Sequence, residues 1–420
     1  MFNLNNKNKI LNTENILSII NQYNTPIWIY DGNIIQDKIN ILKKFDIIRF
    51  AQKACSNIHI LRFIKQFNVK IDAVSLGEIE RALIAGFTPK NDEIIFTSDI
   101  IDTQTLKKVI DLNITVNVGS LTMLEQIGKI SPKHRIWMRI NPKFGHGHSK
   151  KTNTGGENSK HGIWNPHLAL PIIKKYQLNL VGLHMHIGSG VNYQHLKKVC
   201  NSMLNQTIIL NQDIQSISAG GGLPIPYQEN DIPIDINNYF NLWNHTKQKI
   251  EKHFRHPINL EIEPGRFLVG ESGILVAKVY AKKKTKNKKF VLVESGFNDL
   301  MRPVMYGSYH HISIIPKDNR IINKEKIQKT IIGGPLCESG DIFTQNEKGE
   351  LQERDLPKIK IGDYIVFHNT GAYGATMSSN YNTKPFIPEV LFENGKPRII
   401  KKRQTIEELI KLETDIPFQY

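Results

Sequence analysis

The sequence predicts a (β/α)8 barrel followed by a mostly β domain. Two patterns carry that expectation. Short apolar, β-prone runs alternate with longer helix-patterned stretches up to about residue 265. Beyond Gly265 the helical spacing fades, and β-prone runs are separated by Gly- and Pro-marked turns. A third observation fits the first: the residues able to do chemistry cluster where barrel strands would end, which is where barrel active sites lie.

The barrel strands are expected at Ile47–Lys53, Lys70–Ser75, Ile94–Ser98, Thr115–Val118, Arg135–Asn141, Asn179–Ile187, Gln215–Ala219 and Ile258–Glu263. Between them, Glu78–Ala85 and Thr105–Leu112 place apolar residues at three- and four-residue spacing, as an amphipathic helix does. A doubly wound sheet is the alternative, but eight regular units favour closure. The second domain is expected to hold strands at Phe267–Ala281, Phe290–Glu294, Thr330–Gly333 and Tyr364–Asn369. The expected division is therefore a barrel over 25–270 and a β domain over 271–420, with 1–24 contributing to the latter.

Composition narrows the function classes. A chain of 420 residues, 40% hydrophobic, can fill two sizeable cores. Its mean hydropathy is −0.33, and no run approaches the roughly 18 apolar residues of a membrane helix. The first residues are polar and Asn-rich, without the pattern of a signal peptide. Cys55, Cys200 and Cys337 are far apart and lack metal-ligand spacing, which fits a reducing, cytoplasmic setting. The net charge of +16 allows binding to nucleic acid, but the lysines are scattered. The one dense run, Lys282–Lys289, reads as an exposed loop between apolar segments. Neither a membrane nor a nucleic-acid partner is expected.

Lys53 closes the run IIRFAQK. A lysine at the mouth of a barrel can be partly desolvated, which frees its amine for Schiff-base chemistry. His184 and His186, two apart in GLHMHIGSG, share one face of a strand end. They read as hydrogen-bonded histidines rather than metal ligands, since no Cys or carboxylate at metal spacing accompanies them. Gly220-Gly221-Gly222 ends the next strand, either as a tight turn or as a backbone cradle for phosphate. Glu263-Pro264-Gly265-Arg266 ends the last, where Glu and Arg form an ion pair or hold a cofactor and an anionic substrate. A lysine, a flat histidine, a phosphate loop and a glutamate at strand ends together describe a pyridoxal-phosphate site, with no metal. In the β domain, Arg302 and Tyr306 could grip a carboxylate. Cys337-Glu338-Ser339 and Tyr373 sit in Gly-rich turns, an unusual setting for core residues.

The chain resembles the diaminopimelate decarboxylases, in the fold-type III group of pyridoxal-phosphate enzymes that includes alanine racemase and ornithine decarboxylase. The likeness runs along nearly the whole chain and looks closest to the enterobacterial branch. It is carried by FAQKACSNIHIL, VSLGEIERAL, GHGHSKKTNTGGENSKHGIW, LHMHIGSGV, SAGGGL, LEIEPGRFLV, GFNDLMRPVMYGSYHHI, GPLCESGD and TGAYGA. Many members of the family read YAVKAN around the lysine, where this chain reads Phe50-Ala51-Gln52-Lys53-Ala54-Cys55.

The resemblance implies pyridoxal 5'-phosphate held on Lys53 by a Schiff base, with His186 stacked on its ring and Glu263 on its pyridine nitrogen. It implies that Gly221, Gly222, Gly265 and Arg266 hold the phosphate, with Ser189 and Pro264 also at the cofactor. Arg266, Arg302 and Tyr306 would bind substrate carboxylates, and Tyr373 would touch cofactor and substrate. Cys337, as proton donor, and Glu338, in the substrate site, would come from the partner subunit of a homodimer. The implied reaction converts meso-2,6-diaminopimelate to L-lysine and CO2, the last step of lysine biosynthesis. A decarboxylase of another basic amino acid and a non-catalytic pyridoxal-phosphate carrier are the competing readings. A carrier would not need Arg302, Cys337 and Glu338.

Overall fold

Eight parallel strands close on themselves in the first of two units. The computed structural model describes residues 11–145, 154–186, 188, 190, 192–318 and 320–416. One unit holds Gln36–Ile225 and Ile232–Leu268, and the other holds Met1–Ile35, Pro226–Asp231 and Val269–Tyr420. The first strand, β1 (Ile27–Asp31), belongs to the second unit. The barrel follows as β2 (Ile47–Ala51), β3 (Lys70–Ala73), β4 (Ile94–Ser98), β5 (Thr115–Val118), β6 (Arg135–Arg139), β7 (Asn179–His184), β8 (Ser216–Ser218) and β9 (Asn259–Ile262). Register pairs Ile47↔Glu261 and Ile48↔Ile262 close β2 onto β9, which rules out the doubly wound sheet.

The strands are buried on both faces, so they read in sequence as apolar runs rather than alternations. At the closing seam Arg49 Nη2 and Nε donate to Glu261 Oε2 at 2.9 and 3.1 Å, both side chains being buried. Caps fix where the helices begin. Ser75 Oγ accepts from Glu78 N–H at 3.2 Å, and the Glu78 carboxylate accepts from Val74 N–H at 2.9 Å, starting the helix Leu76–Ile84. Asp102 and Ser120 do the same for Thr103–Asp111 and Leu121–Ile130.

The second unit is built on a nine-stranded sheet. Its remaining strands are β10 (Gly273–Lys284), β11 (Lys289–Val293), β12 (Ile312–Ile315), β13 (Ile327–Gly333), β14 (Arg354–Pro357), β15 (Tyr364–Phe367), β16 (Glu389–Glu393) and β17 (Lys396–Lys401). The order is β14-β13-β11-β10-β1-β16-β17, with β15 between β10 and β12. A boundary at residue 25 assigns Ile27–Asp31 to the barrel, yet the strand pairs antiparallel with β10 and parallel with β16. Its Ile27 and Ile29 pack in one core with Ile274, Val276, Val366 and Val390. Two other expectations change. The strand expected from Phe267 begins at Gly273, because Arg266–Val269 forms a helical turn and Gly270–Ser272 a 3-10 turn. Lys282–Lys289 is the tip of the β10–β11 hairpin rather than a plain loop, with Lys284 paired to Lys289. Among the described residues no helix is long and apolar enough to cross a membrane.

Candidate active site

In the barrel unit the chemistry-bearing side chains gather at the C-terminal ends of the strands. Lys53 sits two residues past β2, in the 3-10 turn Gln52–Ala54. Its small neighbours have a packing reason: a Cβ on Gly265 would lie 3.1 Å from Ala54 Cβ and 3.3 Å from Ala51 Cβ. Ala51 N–H donates to Pro264 O at 3.2 Å, which ties the lysine's strand to the segment after β9. The Lys53 side chain is exposed. The turn carries it past the end of the strand.

Glu263 follows β9 and is buried. Its Oε2 lies 2.7 Å from His184 Nε2, and its Oε1 accepts from the Ser218 hydroxyl at 3.0 Å. Burial alone would raise its pKa, but the attraction and hydrogen bond of His184 and the Ser218 bond hold the carboxyl at about 2, so it is ionised. Nearby, burial and then the negative charge of Glu263 push the Asp72 carboxyl up to about 7, against the pull of Lys53 and Thr97. Burial, then the charges of Arg139 and Lys53, hold His186 well below its usual pKa, so its ring is neutral. Gly221 N–H donates to His186 Nδ1 at 3.2 Å, which puts the ring proton on Nε2. The two histidines thus have different hydrogen-bond partners.

The glycines leave room that no side chain could share. A Cβ on Gly221 would lie 2.4 Å from Glu263 O. One on Gly222, at φ +92°, would lie 2.2 Å from Gly188 O and 3.4 Å from His186 Cε1. Gly190 N–H donates to Gly222 O at 2.8 Å and joins the two loops. Arg266 starts the helical turn Arg266–Val269 and is half-buried. Ser189 lies outside the described residues.

The second unit brings its candidates into two groups. Arg302 is buried at the start of the helix Arg302–Tyr306. Its guanidinium carbon lies 5.7 Å from the Tyr306 ring and 5.8 Å from the rings of Tyr227 and Tyr373. Tyr373 has φ +57°, in a turn where a Cβ on Gly371 would lie 1.9 Å from Val269 O. Cys337 and Glu338 form the second group, both exposed. Cys337 N–H donates to Asn382 Oδ1 at 3.0 Å, and Tyr381 hydroxyl donates to Glu338 Oε2 at 2.8 Å.

Sequence reasoning missed Asp72, Arg139, Ser218, Tyr227, Tyr381 and Asn382. For Asp72 and Arg139 a signal existed, since each is a charged residue inside an otherwise buried barrel strand.

The family profile described as "Pyridoxal-dependent decarboxylase, pyridoxal binding domain" matches residues 32–270. The diaminopimelate decarboxylase of Buchnera aphidicola subsp. Schizaphis graminum is 64% identical over 409 residues, covering 97% of this chain and 99% of its own. That of Escherichia coli K12 is 57% identical over 407 residues, covering 96% and 97%. The chain belongs to the diaminopimelate decarboxylase family. A crystal structure of a diaminopimelate decarboxylase superposes with TM-score 0.96 at 55% identity, over 98% of this chain and 99% of that one. One from Helicobacter pylori, complexed with L-lysine, gives TM-score 0.82 at 32% identity, over 96% of this chain and 100% of that one.

The family's cofactor is pyridoxal phosphate, and the barrel unit fits it. The cradle at Gly221 and Gly222 offers backbone where a Cβ could not stand, as a phosphate needs. The neutral His186 ring borders that cradle, and Glu263 is a buried carboxylate kept ionised, as a protonated pyridine nitrogen needs.

Proposed function

We propose that this chain decarboxylates meso-2,6-diaminopimelate to L-lysine and CO2, the last step of lysine biosynthesis. The observation that carries the proposal is Glu263, a buried carboxylate held ionised at the end of β9 beside His184, in a chain of this family. When bound, the cofactor supplies an electron sink for the pair left by the departing carboxylate.

The chain's own residues do the rest. Lys53 is the amine that carries the cofactor. Glu263 would hold the pyridine nitrogen and favour positive charge there. Neutral His186 would offer a flat ring to stack on, and an uncharged ring does not compete with the pyridine nitrogen for Glu263. The backbone at Gly221 and Gly222 would make room for the phosphate, with the Gly222 N–H as a donor while the Gly221 N–H is held by His186 Nδ1, and with Gly265 and Arg266 completing the cradle and Ser189 and Pro264 beside it.

Arg302 is the carboxylate-binding group of the second unit, framed by Tyr227, Tyr306 and Tyr373. The distal centre of the substrate carries one carboxylate and one ammonium. Arg302 and Tyr306 match the first, and Glu338 matches the second. Ornithine and lysine lack the distal carboxylate and would forgo the charge-assisted contact with buried Arg302, which is where specificity arises. Cys337 holds the proton delivered to the carbon that has lost CO2. Cys337 and Glu338 are exposed on their own chain and serve the site of a second copy, so the working unit is a homodimer. An exposed free thiol with this task suits the reducing cytoplasm.

The test is direct. Purified protein with pyridoxal phosphate and meso-diaminopimelate should release CO2 and L-lysine in equal amounts, and lysine, ornithine and arginine should yield almost none. Absence of CO2 from meso-diaminopimelate would defeat the proposal.

A further inference from the structure

Cys337 and Glu338 are exposed on a short loop, yet several independent contacts hold them in place. The loop Gly334–Asp341 is clipped from below by the Asp341 carboxylate. Its Oδ2 accepts from Leu336 N–H and its Oδ1 from Phe297 N–H, each at 2.8 Å. The Phe297 ring packs on the Tyr381 ring with centroids 5.2 Å apart. The Tyr381 hydroxyl reaches back to Glu338 Oε2 at 2.8 Å, and the side-chain oxygen of the next residue, Asn382, accepts from Cys337 N–H at 3.0 Å. The contacts form a closed circuit around the two residues.

The backbone of the supporting turn is strained. Asn382 has φ +54° and Thr383 φ +56°. Asparagine tolerates this region, but a β-branched threonine rarely adopts it. Strain of this kind persists only where surrounding contacts enforce it, and here it aims two successive side chains at Glu338 and Cys337. An exposed glutamate would otherwise sample several rotamers, and an exposed loop several backbone states.

We propose that Tyr381 and Asn382 are positioning residues, Tyr381 for the carboxylate of Glu338 and Asn382 for the backbone that presents the Cys337 thiol. The inference rests on the reading above, in which Cys337 donates a proton and Glu338 binds the distal ammonium. Glu338 raises the Tyr381 phenol pKa through their hydrogen bond and its charge, so the phenol remains a donor at neutral pH. The two supports then act on different kinetic constants. Loosening Glu338 weakens substrate binding, and loosening Cys337 slows proton delivery.

The experiment compares Tyr381→Phe, Asn382→Gly and Asn382→Asp with Cys337→Ala and Glu338→Gln in the cofactor-loaded enzyme, after thermal melts establish that each folds. Tyr381→Phe keeps the ring on Phe297 and should raise KM roughly ten-fold with kcat within about two-fold. Asn382→Gly keeps the backbone freedom but removes the acceptor, and should lower kcat roughly ten-fold with KM little changed. Asn382→Asp restores an acceptor oxygen and should recover most of kcat. If Cys337→Ala and Glu338→Gln behave as wild type, the reading of those two residues fails and the proposal falls with it. If they are impaired while Tyr381→Phe and Asn382→Gly are not, the proposal alone is overturned. It is also overturned if kcat and KM move together in both variants and Asn382→Asp restores nothing, since that is what a merely structural turn would give.

Discussion

Gly222→Ala isolates the phosphate cradle. Gly222 has φ +92°, and an added Cβ would meet the backbone oxygen of Gly188 at 2.2 Å, where real contacts stay beyond 3.0 Å. One of the two loops must therefore retreat by at least about 0.8 Å (3.0 less 2.2), enough to spoil a backbone hydrogen bond. A hydrogen bond to a charged group contributes about 1.5–3 kcal/mol, so losing one phosphate contact should weaken cofactor binding roughly ten- to hundred-fold. Gly395→Ala is the control. Its φ of +74° carries similar backbone strain, but nothing lies within 4 Å of the added carbon. It should lose about 1–2 kcal/mol of stability and leave cofactor affinity unchanged. Titration of cofactor-free protein with pyridoxal phosphate, followed by absorbance, reads both. Wild-type affinity in Gly222→Ala, or equal losses in the two variants, would refute the cradle.

Arg49→Ala leaves Glu261 as a buried, unpaired carboxylate at the closing seam, and should cost about 3–5 kcal/mol in chemical denaturation; a cost under about 1 kcal/mol would mean that the pair does not hold the seam. In cofactor-free protein, Asp72 keeps its proton until about pH 7, whereas the unfolded chain releases it near 3.8. The wild type therefore loses stability as pH rises across that window, and Asp72→Asn does not. The melting temperature of Asp72→Asn relative to wild type should climb between pH 4 and 7 and then level off, and a flat or falling difference would contradict the burial argument. In the proposed homodimer with shared sites, Lys53→Ala and Cys337→Ala subunits, each inactive alone, should recover activity on mixing, because a mixed dimer would hold one site with both residues. No recovery after demonstrated subunit exchange would place each site within one chain.

The barrel was legible because its strands are buried on both faces and the helices between them keep their spacing. The register of the second sheet was not. β1 is five buried residues with no local sign of its partners, and only long-range pairing with β10 and β16 removes it from the barrel. β12, β14, β16 and β17 escaped for a similar reason, since each is at most six residues long and framed by polar or proline-containing turns. The candidates at strand ends, Lys53, the glycine triplet and Glu263, stood out in sequence as chemistry out of place. Tyr381 and Asn382 were not, because they lie 43 and 45 residues from the side chain and backbone they hold. Sequence spacing gives no hint of such a contact. Ser218 looks like any strand serine until Glu263 folds against it.

The account turns on Lys53 carrying the cofactor at the end of β2. Borohydride reduction of the yellow, cofactor-loaded protein, followed by peptide mapping, tests this directly. The reduced label should appear on the peptide containing Phe50-Ala51-Gln52-Lys53, and Lys53→Ala should lose both label and nearly all turnover. A label on any other lysine, or full turnover in Lys53→Ala, would contradict the account.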